Sequence, residues 1–336
     1  MKMMRRGLGV ALALLLAGCA MSPAVPSGPP KVLQVIGFPG GFNWPIWVAQ
    51  TQGFFAREGV APVLVPTPNS RTQMTGLIEG KYDIAMTAID NVIAYREGQA
   101  GIAIDGSDLV TVMGGDNGFL KLVGREDVRS VADLRGKDLA VDSLTTGYAF
   151  VLMEIMERNG LVLDRDYKTV AAGGGVERYN AMVERKFAGT LLISPFDVMA
   201  KARGLNVITD ASAALGSYQG YTAAVRRSWA RENERHLVGY IRAYRQGVAW
   251  LYDPANREAA LDLFMRNVPN STRQTAETSY AVLLDPVSGM QRNAAMDLRG
   301  VQAVLDLRAK YGKPPKALGR PESYYDARYY ERASRP

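Results

Sequence analysis

The chain has 336 residues, 40 Lys and Arg against 33 Asp and Glu, a formal net charge of +7, one His and one Cys. At 47% hydrophobic and 22% charged it reads as a globular protein with a substantial core, in one large or two medium domains, and not as a disordered or collagen-like chain. A single Cys excludes an internal disulfide and a thiolate zinc site, and a single His argues against His-based metal centres and triads, so neither metal nor cofactor is expected.

Lys2, Arg5 and Arg6 precede an apolar run over residues 10–17, which leads into Leu16-Ala17-Gly18-Cys19. This is a secretory signal layout, and the run is too short to span a bilayer as a permanent helix. The string resembles a bacterial lipobox, which implies a signal peptide over residues 1–18 and an acylated Cys19 that anchors the mature chain to a membrane. Cleavage before Cys19 removes three positive charges and no negative ones, so the net charge falls from +7 to +4. With no clustered Lys/Arg stripe, that excess gives no footprint for nucleic acid. Residues 19–30, with Pro23, Pro26, Gly28, Pro29 and Pro30, read as an extended lipidated tether.

From Lys31 onward short β-rich runs alternate with helical stretches. Residues 32–36, 63–65 and 83–86 are predicted strands, each followed by a loop and a helix. The helices start near Trp44-Pro45, at Ser70 with Gln73 completing a capping box, and after the loop 87–91. Three such units in succession imply a mainly parallel sheet. Residues 109–113 and 119–123 are two more strands, and a second series follows with strands near 138–141, 167–171, 191–193 and 207–208 and helices near 146–159, 176–186 and 195–203. Ser194 is placed to cap the last of these, with Pro195 in its first turn. After a strand near 221–225 the sequence turns helical, with Leu237, Ile241, Tyr244, Val248 and Leu251 at helical spacing and further helices from Pro254, over 271–284 and over 292–311. These late helices are expected to cover the first sheet.

In open parallel sheets ligands bind beyond the carboxyl ends of the strands. The loops there supply Phe42, Asn43 and Trp44; Asn69; Thr87, Asp90 and Asn91; Asp116 and Asn117; Ser143, Thr145, Thr146 and Tyr148; and Ser194 and Phe196. Small polar groups hydrogen-bond a solute while the aromatic rings form apolar walls. They form a recognition set without a nucleophile and base. Each Ser, Thr or Asn also fits an ordinary capping role, so only their recurrence after nearly every strand points to a ligand. Asp90 and Asp116 are placed to accept from an amine or heteroaromatic N–H, or to cap a helix. His236 falls in a charged run that reads as a solvated helix face.

Three segments in order resemble one known family. They are Pro45-Ile46-Trp47-Val48-Ala49-Gln50-Thr51-Gln52-Gly53-Phe54-Phe55-Ala56-Arg57-Glu58-Gly59-Val60, Gly80-Lys81-Tyr82-Asp83-Ile84-Ala85, and Val131-Ala132-Asp133-Leu134-Arg135-Gly136-Lys137. They are similar to motifs of periplasmic solute-binding proteins for sulfonate, taurine, nitrate and thiamine-pyrimidine precursors. The resemblance implies a type II periplasmic binding fold, two α/β lobes with a ligand cleft between them. Lobe 1 is expected over 31–122 and 222–336 and lobe 2 over 123–221. It further implies a non-catalytic, lipid-anchored receptor on the extracytoplasmic face of a bacterial membrane, which closes on a small solute and delivers it to ABC permease subunits. Sulfonate and nitrate binders cradle the anion at the second-lobe helix start, matched here by Ser143, Thr145, Thr146 and Gly147. Asp90 and Asp116 would repel an anion beside them, so the solute's charge stays open between a sulfonate or nitrate-like anion and a heteroaromatic or amine compound, with a slight lean toward a small organic molecule with a polar N–H and a flat or apolar part. Two alternatives share the fold: a ligand-sensing envelope protein, and a pyrimidine-synthase-like enzyme, which needs a reactive His or Cys in the cleft.

Overall fold

The first three β-loop-α units build one sheet, and the second series builds another. The computed structural model describes residues 28–116 and 118–335. The expected signal peptide, Cys19, most of the expected tether and Asn117 lie outside the described residues. The strands are β1 (Lys31–Gly37), β2 (Val60–Pro66), β3 (Ile84–Ala88), β4 (Leu109–Met113), β5 (Lys121–Gly124), β6 (Asp138–Val141), β7 (Lys168–Ala171), β8 (Gly189–Leu192), β9 (Asn206–Asp210) and β10 (Tyr221–Arg226). One sheet has the order β2-β1-β3-β10-β4 and the other β7-β6-β8-β5-β9. In the first, β1 runs parallel to β2 and β3, and β10 runs antiparallel to its neighbours β3 and β4. In the second, β6 runs parallel to β7 and β8, and β5 is antiparallel to β8 and β9. The two odd strands are the ones that receive the chain as it passes between lobes. The expected boundaries at 122/123 and 221/222 therefore fall inside β5 and β10.

Helices cover both sheets, so the inner strands read as nearly continuous apolar runs. Leu33, Val35, Ile84, Met86, Val110, Val112, Ala223 and Val225 are buried in one cluster with Leu237, Tyr240, Ile241, Tyr244 and Val248 of the helix Glu234–Tyr252. The helix Leu298–Tyr311 departs from the expectation that late helices cover the first sheet. Its Val301, Val304 and Leu305 pack with Phe150, Val151 and Ile155 of the second-lobe helix Gly147–Arg158. That helix starts at 298, six residues later than expected, because the Asp297 side chain accepts from the Arg299 amide and caps it.

Close backbone packing fixes one contact on which the first lobe depends. A Cβ built on Gly247 would lie 2.3 Å from the carbonyl oxygen of Pro45, where the helices Trp44–Thr51 and Glu234–Tyr252 cross. Neither atom is the end of a flexible side chain. Gly247→Ala is therefore expected to destabilise the protein by about 1–3 kcal/mol, the usual range for overpacking, read as a lower urea midpoint.

Candidate ligand-binding site

The carboxyl ends of β1, β3, β6, β7 and β8 converge on a cavity between the lobes. After β1 come Phe38, Pro39 and Phe42; after β3, Ala88 and Asn91; after β6, Asp142, Thr146, Gly147 and Tyr148; after β7, Gly175 and Arg178; after β8, Ile193 and Phe196. The two crossovers close the back with Asp116, Phe119, Leu120 and Tyr221. Its volume is about 60 Å³, and at roughly 10–15 Å³ of such space per water molecule this conformation suits only a compact solute.

The lobes touch around the cavity. Gly41 N–H donates to the Ser194 carbonyl (3.1 Å) and Gly174 N–H to the Pro68 carbonyl (2.8 Å). Ser70 N–H meets the Asp142 carboxylate at 3.3 and 3.4 Å, and the Thr145 hydroxyl donates to the Ala100 carbonyl (3.3 Å). A groove of about 470 Å³ adjoins the Gly41–Ser194 side and shares Phe38, Pro39 and Phe196 with the inner cavity.

The sequence-predicted residues divide into two groups. Phe42, Asn91, Asp116, Thr146, Tyr148 and Phe196 line the cavity. Others hold the scaffold. Asn43 donates to the Phe38 carbonyl (2.7 Å) and accepts from the Tyr221 hydroxyl (2.8 Å), which sets two walls without joining them. Trp44 is fully buried against Phe264, with ring centroids 4.6 Å apart. Asn69 caps the helix Ser70–Ile78 by accepting from Thr72 N–H (2.8 Å), so the cap is Asn69 and not Ser70; Gln73, assigned to the capping box, donates to the Met86 carbonyl instead. The Thr87 hydroxyl accepts from the Asn91 amide (2.9 Å). Ser143 and Thr145 bond one another (3.3 Å) beside a separate small pocket. The Ser194 hydroxyl donates to Asp197 (2.7 Å), and the helix it was expected to cap begins at Phe196 behind Pro195.

Asp90 turns away from the cavity. Both of its oxygens face Arg308, whose Nε and Nη2 donate at 2.7 and 2.6 Å, and the Gly147 amide donates to the same carboxylate. Its charge is thus compensated internally and repels no solute. Asp116 does face the cavity. It accepts from the amides of Gly118 (2.6 Å) and Tyr221 (2.7 Å), one on each crossover. Burial dominates these bonds and pushes its pKa up to about 7.

A raised folded-state pKa means that the folded protein holds a proton which the unfolded chain releases near pH 4. The associated stability is present below that value and is lost as pH rises through about 7. Urea midpoints of the wild type are expected to fall more steeply between pH 4 and 7 than those of Asp116→Asn. Parallel profiles would sink this assignment.

The sequence reading missed Arg178. It sits one turn into the helix Gly175–Val183, on the face that follows the glycine run 173–175. The residue is 6% exposed, and its guanidinium donates to the carbonyls of Gly173 (2.7 Å) and Leu191 (3.2 Å). Among the described residues it makes no ion pair. Burial draws its pKa down from the usual value, yet a guanidinium stays charged at neutral pH. The cavity thus presents a buried guanidinium, with the Asp142 carboxylate near enough to act on its charge, beside aromatic walls in which the Phe42 and Tyr221 rings lie 4.4 Å apart.

Two α/β lobes, two crossovers and a cleft at the strand ends define a type II periplasmic binding fold. The chain belongs to the NMT1/THI5-like family, which it matches over residues 43–257. In fold it is similar to the alkanesulfonate-binding protein SsuA of Xanthomonas axonopodis pv. citri, solved with MOPS, at 15% identity and a TM-score of 0.72, covering 90% of this chain and 100% of that one. The nitrate-binding protein NrtA of Synechocystis PCC 6803 is similar at 10% identity and a TM-score of 0.73, covering 91% and 88%. A ligand-binding component of an ABC-type import system from Staphylococcus aureus is similar at 13% identity and a TM-score of 0.73, covering 91% and 100%. No curated protein matches the chain.

Proposed function

We propose that the chain is the solute-binding component of an ABC importer. It captures a compact organic anion with an apolar part between its lobes and presents the closed form to the permease subunits. The observation that carries this reading is Arg178, a buried guanidinium that forms no ion pair within salt-bridge distance among the described residues and donates to two carbonyls, in the wall of a cavity that also holds aromatic rings, Asp116 and Asp142. A buried cation with no carboxylate in direct contact is costly, and an anionic solute supplies that contact. This reverses the lean toward an N–H-bearing solute, which rested on repulsion from Asp90 and Asp116. Arg308 neutralises the first, and burial favours the protonated form of the second.

The sulfonate and nitrate binders that share the fold support the same solute class, and the importer component from Staphylococcus aureus supports the transport role. Cys19, as an acylated first residue, would hold the receptor at the extracytoplasmic face of the membrane. The sole His, His236, lies on the helix Glu234–Tyr252 and outside the cavity lining, which favours binding over chemistry. The test is mass spectrometry of small molecules released from the purified, denatured protein, followed by calorimetry with the compound found. A compact anion is expected. Release and tight binding of only neutral or cationic compounds would refute the reading.

A further inference from the structure

A cleft that buries its solute must open, and the contacts between these lobes are unequal from one flank to the other. On one flank stand Asp90 and Arg308, 1% and 0% exposed, joined by two charge-assisted bonds. Asp90 also accepts the first amide of the second-lobe helix, at Gly147, and Arg308 Nη2 donates to the Thr145 carbonyl (2.9 Å). Gly147 has no Cβ for a reason, because one would lie 2.4 Å from the Asp90 carboxyl carbon. The helix that carries Arg308, 14 residues and so about 20 Å long, starts beside the second crossover, where the Asp297 amide donates to Gln219 (2.9 Å). It then runs along the flank, and Ile89 and Ile93 from the first lobe share its apolar cluster with Phe150 and Val151 from the second. At the other flank, beside the 470 Å³ groove, the lobes meet through the backbone pairs Gly41 to Ser194 and Gly174 to Pro68, through the partly buried Ile193 packed on the first-lobe core, and where the helices Arg273–Leu283 and Phe196–Ala202 approach each other; among the described residues no ion pair joins them there.

We infer that the helix Leu298–Tyr311, through Arg308 and Asp90, is a third connection between the lobes, so that the cleft opens on one side only, at the groove bounded by Phe38 and Phe196. Separating the lobes on the Arg308 flank would strand a fully buried charge and expose a packed apolar cluster, while the groove side gives up neutral hydrogen bonds and the packing of partly buried side chains. Solute then enters past Phe38 and Phe196. The inference rests on the reading of the cleft as a solute trap.

Amide hydrogen exchange of the full chain, followed residue by residue without added solute, tests it. Gly41 and Gly147 are both buried and both donate across the cleft, so burial alone does not separate them. Protection at Gly147 is expected to approach that of the sheet amides of Val35 and Leu139. Gly41 and Gly174 are expected to be protected at least tenfold less. Equal protection at Gly41, Gly147 and Gly174, the signature of a symmetric opening, would overturn the inference. Because no solute is added, failure to find a bound anion would refute the proposed function and leave this result standing.

Discussion

Asp90→Ala is expected to cost about 3–5 kcal/mol of stability, the range for breaking one side of a buried ion pair. The loss comes less from the attraction removed than from the charge left behind. Arg308 is fully buried, and its remaining acceptors are the Thr145 carbonyl at 2.9 Å and the Gln99 amide oxygen at 3.4 Å, neither of them charged. The Gly147 amide also loses its acceptor at the start of a 12-residue helix. The paired change Asp90→Leu with Arg308→Met removes both charges and keeps the volume apolar, so it is expected to lie within about 2 kcal/mol of the wild type. Urea unfolding of the wild type, both single variants and the pair closes a double-mutant cycle. Additive losses would mean that the two side chains do not act as a unit, and the clasp between the lobes would have to be abandoned.

That ion pair also marks where the sequence could be read and where it could not. Strand runs and loop positions were legible because parallel strands buried on both faces are apolar throughout and their carboxyl ends must face the cleft. Phe42, Asn91, Tyr148 and Phe196 reached the cavity by that rule alone. Asp90 obeyed the same rule and still turned away, since its partner lies 218 positions along the chain and no local pattern announces a contact of that range. Arg178 was passed over for the opposite reason. An Arg in the first turns of an amphipathic helix reads as a solvated residue, and only the fold of the second lobe shows that this face is covered. Asn43 and Asn69 were assigned to the solute by composition, but the backbone claims both: one braces Phe38 and Tyr221, the other caps a helix. Small polar side chains satisfy main-chain groups first, and a ligand takes what is left.

Arg178→Met is expected to separate binding from folding. If the guanidinium pairs with an anion inside the closed cleft, its removal should weaken binding of the released compound by about 2–5 kcal/mol, roughly thirtyfold to several thousandfold, mostly through faster dissociation. The fold should scarcely notice. Two hydrogen bonds to the carbonyls of Gly173 and Leu191 are lost, and the relief of a buried charge works in the opposite direction. Calorimetry and urea unfolding on the same variant read the two effects independently. Phe196→Ala provides the contrast, because it trims an apolar wall that packs on Tyr179 with ring centroids 5.9 Å apart and leaves the cation in place. Its effect on affinity should be smaller than that of Arg178→Met for an anion and larger for a neutral solute of similar size. Unchanged affinity in Arg178→Met, with stability lost, would make Arg178 a brace for the glycine loop. The solute's charge would then have to be sought at Asp142 and Asp116 instead.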